Sequence, residues 1–214
     1  MERDALAEDG TLTGDPRLSI NKIGHNLHEL DDVCREVSFS DHVAAVCRSF
    51  GMRRPLVVQS MYIFKQARIG DAVNPHQDGS FLYTRPQSVV GFWWALQDCT
   101  ESNGCLWAIP GSHKEPVRQW FRRKEADSTE VGMTPEHVDA FDLGGGVPLV
   151  IPAGSLVLLH SNLVHWSGPN RTDDSRHAYS IHVVEGTPDV EYPKENWLQR
   201  PPETPFRAIY DDTE

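Results

Sequence analysis

Ahead of Gly51 the apolar positions recur at helical spacing. Val43, Val46, Cys47 and Phe50 fall on one stripe of D-H-V-A-A-V-C-R-S-F, Ser40 stands where a capping hydroxyl belongs, and Gly51 stands where a helix stops. Residues 29–38 (E-L-D-D-V-C-R-E-V-S) predict a shorter helix before it. Beyond Gly51 the period shortens. Apolar runs at 55–65, 88–98, 105–109, 148–151, 155–160 and 178–184 are separated by N-P, N-G, P-G, G-G-G and P-A-G turns. Many short strands without regular helices between them predict a mainly β, antiparallel double-sheet jelly roll with helices outside. The charged stretch 114–127 predicts a further helix, and a loop to about residue 147 follows it. A loop of that length in a compact domain reads as a lid or a disordered surface. Residues 1–18 are polar and turn-rich, so the chain divides into that segment and a single domain over 19–214.

Composition narrows the classes. At 214 residues the chain is long enough for one sandwich or barrel core. A formal net charge of −11 supplies no positive field to steer a polyanion, which argues against nucleic acid as a partner. No apolar run reaches the roughly 18 residues of a membrane span. The start, M-E-R-D-A-L-A-E-D-G, lacks a signal peptide's basic end and apolar centre, and the tail Y-D-D-T-E is no peroxisomal or reticulum-retention address. The expected compartment is the cytoplasm. Cys34, Cys47, Cys99 and Cys105 show no C-x-x-C spacing, so free, buried thiols are expected, and the sequon at Asn170 is expected to be silent.

The candidate chemistry lies in His-x-acid triplets. Ten His and 31 acidic residues make one or two such triplets expected by chance, and the chain has three: His76–Asp78, His113–Glu115 and His137–Asp139. His137 lies in a polar, Gly-ending stretch, and His113 runs straight into a charged segment. Only His76–Asp78 is flanked by strand-like runs on both sides, P-L-V-V-Q-S-M-Y-I-F-K and S-V-V-G-F-W-W-A-L, able to hold ligands rigidly. Two imidazoles and one carboxylate on one face of a metal leave about three positions open, as in non-haem Fe(II) oxygenases. His160 and His165 are both available as the distal imidazole. His165 is better placed, because Arg176 follows eleven residues later at the start of a strand, with the Ser167 hydroxyl nearby. An always-charged guanidinium suits the far carboxylate of a keto acid chelating the metal.

These segments resemble a known family. S-I-N-K-I-G-H from Ser19, V-V-Q-S-M-Y-I-F-K-Q, P-H-Q-D-G-S-F-L-Y-T, N-G-C-L-W-A-I-P-G-S-H, the stretch from His165 to Arg176 and P-K-E-N-W-L-Q ending at Gln199 are similar to the phytanoyl-CoA dioxygenase family of Fe(II)- and 2-oxoglutarate-dependent oxygenases. The resemblance implies a double-stranded β-helix, iron held by His76, Asp78 and His165, and a 2-oxoglutarate pocket lined by Lys22, Met61, Trp93, Ser167 and Arg176. Trp93 rather than Trp94 follows from the spacing after F-L-Y-T, and neighbours on a strand face opposite sides. Relatives usually carry a longer portion before S-I-N-K-I-G-H, whereas 18 residues precede it here. A truncated or reduced fold is therefore expected.

The resulting expectation is an enzyme using Fe(II), 2-oxoglutarate and O2 to hydroxylate a small organic, acyl or lipid-like substrate, with release of succinate and CO2. A catalytically silent metal-binding relative is the alternative. A halogenase would need halide in place of Asp78, and a zinc hydrolase leaves Arg176 and Lys22 without a purpose. The basic run Arg118, Arg122, Arg123 and Lys124 is a candidate for phosphate contact if the substrate is an acyl-CoA. Oligomeric state is not legible.

Overall fold

Two antiparallel sheets face one another in the computed structural model, which describes residues 1, 2 and 5–213. Arg3 and Asp4 of the N-terminal segment and Glu214 of the tail lie outside the described residues. The strands are β1 (Lys22–His25), β2 (Pro55–Ile63), β3 (Val73–His76), β4 (Val90–Ala95), β5 (Leu106–Ala108), β6 (Trp120–Arg123), β7 (Val131–Thr134), β8 (Val147–Leu149), β9 (Leu156–His160), β10 (His165–Ser167), β11 (Ala178–Glu185) and β12 (Arg207–Ala208). The larger sheet runs β1-β2-β11-β4-β9, with β12 also on β2, and the smaller runs β3-β10-β5-β8. This is the jelly roll that the strand spacing predicts.

Among the described residues three α-helices pack outside, α1 (Leu27–Leu30), α2 (Asp32–Ser38) and α3 (Asp41–Ser49). The Ser40 hydroxyl accepts from the Val43 N–H, and Gly51 ends α3 with φ of +74°. The α3 stripe of Val43 and Cys47 covers the outer face of the large sheet, where it meets Val57, Phe92, Tyr179 and Ile181. Strand alternation turns the intervening residues inward. Trp93, Ala95, Leu159 and Ala178 accordingly meet Cys105 and Leu106 of the small sheet in a second core. Trp94 lies on the helix side, stacked 5.8 Å from Tyr179.

The helix expected over 114–127 is not formed. Residues 120–123 are instead β6, paired with β7 inside the segment expected to be a loop. Aromatic pairs favour a pleated surface, and period 2 suits this stretch. Phe121 turns toward Phe81 and Trp197, while Trp120 and Arg122 turn the other way into a separate cavity. Arg118 lies over the Phe141 ring and Lys124 pairs with Glu130.

The N-terminal segment is anchored through Glu2, a fully buried carboxylate. It accepts from the Asn21 amide at 2.8 Å and from the Asp71 N–H at 3.1 Å. All four cysteines are free. Asn170 is fully buried with its amide donating to the Lys65 and Asp174 carbonyls, a structural role for the sequon asparagine. Among the described residues no helix is long and apolar enough to cross a membrane.

Candidate metal and carboxylate site

Register brings the metal-type donors together. In the small sheet His165 of β10 lies directly opposite His76 at the end of β3, with ring centroids 4.3 Å apart. Asp78 follows at the head of a 3-10 turn (Asp78–Ser80), tied down where the Gly79 N–H donates to the Ser161 carbonyl at 2.8 Å. Each imidazole lies with Nδ1 on the carbonyl two residues earlier, His76 on Asn74 at 2.8 Å and His165 on Leu163 at 3.0 Å. Donating there fixes the tautomer and leaves each Nε2 with a free lone pair, the arrangement in which histidine binds metals. Both Nε2 atoms face Asp78 Oδ1, at 3.7 and 3.6 Å. One ligand atom from each of the three residues lies within 4.8 Å of the others, a set able to hold a metal ion.

Electrostatics keeps this set in its ligating form. Burial opposes ionisation of Asp78, but His165, His182 and His76 around it outweigh that and hold its carboxyl well below the usual range. Burial, then the neighbouring His165, pushes His76 down to about 4, so its ring is neutral at pH 7. Asp78 Oδ2 is buried with no hydrogen-bond partner among the described residues, while His182 Nε2 stands 3.4 Å from it.

The other two triplets stay apart from this site. His113 sits in an exposed 3-10 turn and His137 on an exposed loop. His160, the alternative distal imidazole, ends β9 on an exposed face, where its Nδ1 accepts from the Asn162 N–H and its ring lies 5.5 Å from that of His113.

A cavity of about 110 Å³ runs between the sheets from the triad to Arg176. The large sheet lines it in rows set by register. Met61, Ser180 and Trp93 form one cross-strand row, and His182 and Gly91 belong to the next. Arg176, just before β11, is 1% exposed with its guanidinium carbon 5.1 Å from the Trp93 ring centroid. One terminal nitrogen donates to the Gly104 carbonyl at 2.8 Å, while Nε and the other terminal nitrogen are buried without a partner among the described residues. The Ser180 hydroxyl beside the same cavity is likewise unpartnered among the described residues. Burial lowers the Arg176 pKa to about 10, so the group keeps its charge at pH 7. Buried donors left open in this way cost on the order of 1–3 kcal/mol each unless something fills them. A carboxylate fits the space and the charge.

Lys22, Met61, Trp93, Ser167 and Arg176 all line this cavity, Lys22 from the exposed edge strand β1. Four residues around it carry no mark in the sequence. Gly91 is one, since a Cβ there would come within 2.9 Å of Asp78 Oδ2. His182 and Ser180 are two more, placed only by the pairing of β11. The fourth is Lys65, 2% exposed, whose ammonium donates to the Asp71 and Gly168 carbonyls at 2.7 and 2.6 Å.

Fold and site together define a β-sandwich oxygenase, and comparison with known proteins agrees. The family model "Phytanoyl-CoA dioxygenase (PhyH)" matches residues 2–178. Phytanoyl-CoA dioxygenase 1 of Oryza sativa subsp. japonica is 48% identical over 212 residues, covering 99% of this chain and 73% of the relative. Phytanoyl-CoA dioxygenase domain-containing protein 1 of Mus musculus is 45% identical over 215 residues, covering 98% and 72%. Among solved structures, the non-heme alpha ketoglutarate dependent epimerase SnoN superposes with a TM-score of 0.64 at 21% identity, covering 87% of this chain and 72% of that one. The non-heme monooxygenase ThoJ superposes at 0.63 and 22%, covering 89% and 71%. The chain belongs to the phytanoyl-CoA dioxygenase family, a family of oxygenase enzymes.

Proposed function

We propose that this protein is an Fe(II)- and 2-oxoglutarate-dependent dioxygenase that hydroxylates a small organic substrate. On this reading His76, Asp78 and His165 hold iron, and Lys22, Met61, Trp93, Ser167 and Arg176 form the 2-oxoglutarate pocket. Iron and 2-oxoglutarate held there would supply the oxidising chemistry, with O2 consumed, succinate and CO2 released, and one oxygen atom placed in a substrate C–H bond.

The observation that carries the reading is a guanidinium with open donors at one end of a cavity that has a two-His, one-carboxylate set at the other. A dicarboxylate with a chelating keto-acid head satisfies both ends, and the lone Ser180 hydroxyl is a further donor to it. The relatives' names point to the same chemistry, and a solved epimerase of this fold carries Fe3+ and alpha ketoglutarate in its title. The chain's own residues do the rest. Nδ1 anchoring presets both imidazoles, and Gly91 leaves the room in which Asp78 sits. The face of Trp93 lies beneath the charged guanidinium, where cation–π attraction helps hold it.

The test is anaerobic loading with Fe(II) and 2-oxoglutarate, then admission of O2. The reading expects succinate above background in the wild-type chain and none in Asp78→Ala. A chain that binds both and releases no succinate would be a metal-binding relative instead.

A further inference from the structure

A second cavity, of about 460 Å³, shares His76, Asp78 and His182 with the first and extends toward the β6–β7 hairpin and the C-terminal segment. Its volume is that of a site for a drug-sized molecule. The rings of His25, His76, Phe81 and Trp197 line it, and Phe121 bridges Phe81 and Trp197 from behind the wall. His76 meets Phe81 at 5.9 Å, Phe81 meets Phe121 at 5.9 Å, Phe121 meets Trp197 at 6.0 Å, and Trp197 meets His25 at 5.0 Å. Met133 from β7 adds an adaptable apolar side chain.

Away from the metal donors the polar groups converge as hydrogen-bond donors. The Gln59 amide nitrogen lies 2.7 Å from His25 Nδ1; with glutamine donating, the His25 proton sits on Nε2. The Trp197 indole N–H is buried with no partner among the described residues. Among the described residues Asp78 is the one carboxylate lining this space and Lys22 the one permanent cation. Substrate phosphates are normally met by clustered Arg and Lys, and among the described residues no such cluster lines this chamber.

We propose that this chamber is the primary-substrate site, and that it selects a compact, flat, ring-containing molecule presenting one oxygen acceptor, a carbonyl or a single carboxylate, to the Gln59, His25 and Trp197 donors. A coenzyme A thioester does not match it: the bulk exceeds the chamber and its several phosphates lack partners. The inference rests on the oxygenase reading, because it places the reacting C–H beside His76 and Asp78. It also gives the β6–β7 hairpin a purpose, since Met133 lines the chamber and Phe121 backs the Phe81 and Trp197 rings that do.

The test uses the full chain loaded with Zn(II) and 2-oxoglutarate, titrated calorimetrically with naphthalene-2-carboxylate, its neutral carboxamide, 2-(aminomethyl)naphthalene, octanoate and octanoyl-CoA. Binding is expected for one or both acceptor-bearing naphthalenes, about tenfold or more tighter than the ammonium compound, with octanoyl-CoA no tighter than octanoate. The carboxylate and carboxamide arms tell a charged acceptor from a neutral one. Gln59→Leu should weaken the acceptor-bearing ligand about tenfold, and Phe81→Leu and Met133→Ala should weaken all ring ligands, with 2-oxoglutarate affinity retained. Octanoyl-CoA binding tighter than every other probe overturns the proposal. So does an absence of ring binding, or ring binding indifferent to all three substitutions. If the wild-type chain takes up neither Zn(II) nor 2-oxoglutarate, the oxygenase reading itself has failed, which the first titration separates from failure of the chamber.

Discussion

At the scale of single residues, the chemistry is concentrated in atoms the protein leaves open. His76 and His165 are pinned through Nδ1 and leave Nε2 free, while Asp78 Oδ2 and two nitrogens of Arg176 are buried without a partner among the described residues. Removing a pinned ligand should therefore remove a function without removing the fold. His76→Ala or Asp78→Ala is expected to abolish retention of Fe(II) or Zn(II) on gel filtration, whereas His113→Ala and His137→Ala retain it; metal loss in His137→Ala with retention in His76→Ala would contradict the assignment. His76, Asp78 and Arg176 were legible in the sequence because a triplet between strand-like runs and an arginine opening another run are local patterns. His160 against His165 was not decided by pattern alone, and the cross-strand pairing of His165 with His76 supplies the reason. His182, Ser180 and Gly91 were not legible, since nothing local relates them to Asp78 or to Arg176. They meet only through the register of β11 and β4.

At the scale of elements, register does the positioning, and small residues permit it. Gly91 of β4 faces Asp78 and Leu159, and an added methyl would lie 2.9 Å from the carboxylate and 3.2 Å from the Leu159 Cβ. Gly91→Ala should therefore cost roughly 1–3 kcal/mol as an overpacked site and weaken metal binding together with stability, read by calorimetric titration beside urea denaturation. Unchanged metal affinity would mean that Asp78 has freedom to move. The helix cap offers a control remote from the site. Ser40→Ala should cost about 1 kcal/mol with metal affinity unaltered. Helices and strands with a clean period were read correctly, α3 and β2, β4, β9 and β11 among them. Residues 120–123 were misread, because a charge-rich stretch has no core-facing stripe to set its period. Its strand state depends on a partner, β7, eight residues away, and on Phe81 and Trp197 waiting to receive Phe121.

At the scale of the whole molecule, burial sets how two basic groups beside the cavity, Arg176 and Lys65, carry their protons. Burial, then the nearby Arg176, lowers Lys65 from the ordinary 10.5 to about 7. The unfolded chain therefore binds more protons than the folded one between those values, and stability should rise with pH across that window. Urea denaturation at about pH 7.5 and about pH 9.5 is expected to show a larger gain in the wild type than in Lys65→Met, and equal gains would place the Lys65 ammonium in a wetter setting than its 2% exposure describes. Ligands should stabilise the same fold: 2-oxoglutarate at a hundredfold over its dissociation constant adds about 2.7 kcal/mol to the metal-loaded protein. The jelly roll was legible at this scale because turn spacing alone specifies many short strands, while the anchoring of the N-terminal segment through Glu2 was not, a lone acidic residue giving no hint of burial. The central claim, that Arg176 and the metal triad together grip one dicarboxylate, is tested most directly by calorimetric titration of 2-oxoglutarate into the Zn(II)-loaded wild type, Arg176→Ala and Arg176→Lys. Loss of a desolvated charge partner costs on the order of 3–5 kcal/mol, so affinity should fall by hundreds-fold or more in Arg176→Ala and recover in part in Arg176→Lys, with Zn(II) retained throughout. Equal 2-oxoglutarate affinity in all three proteins would contradict the account.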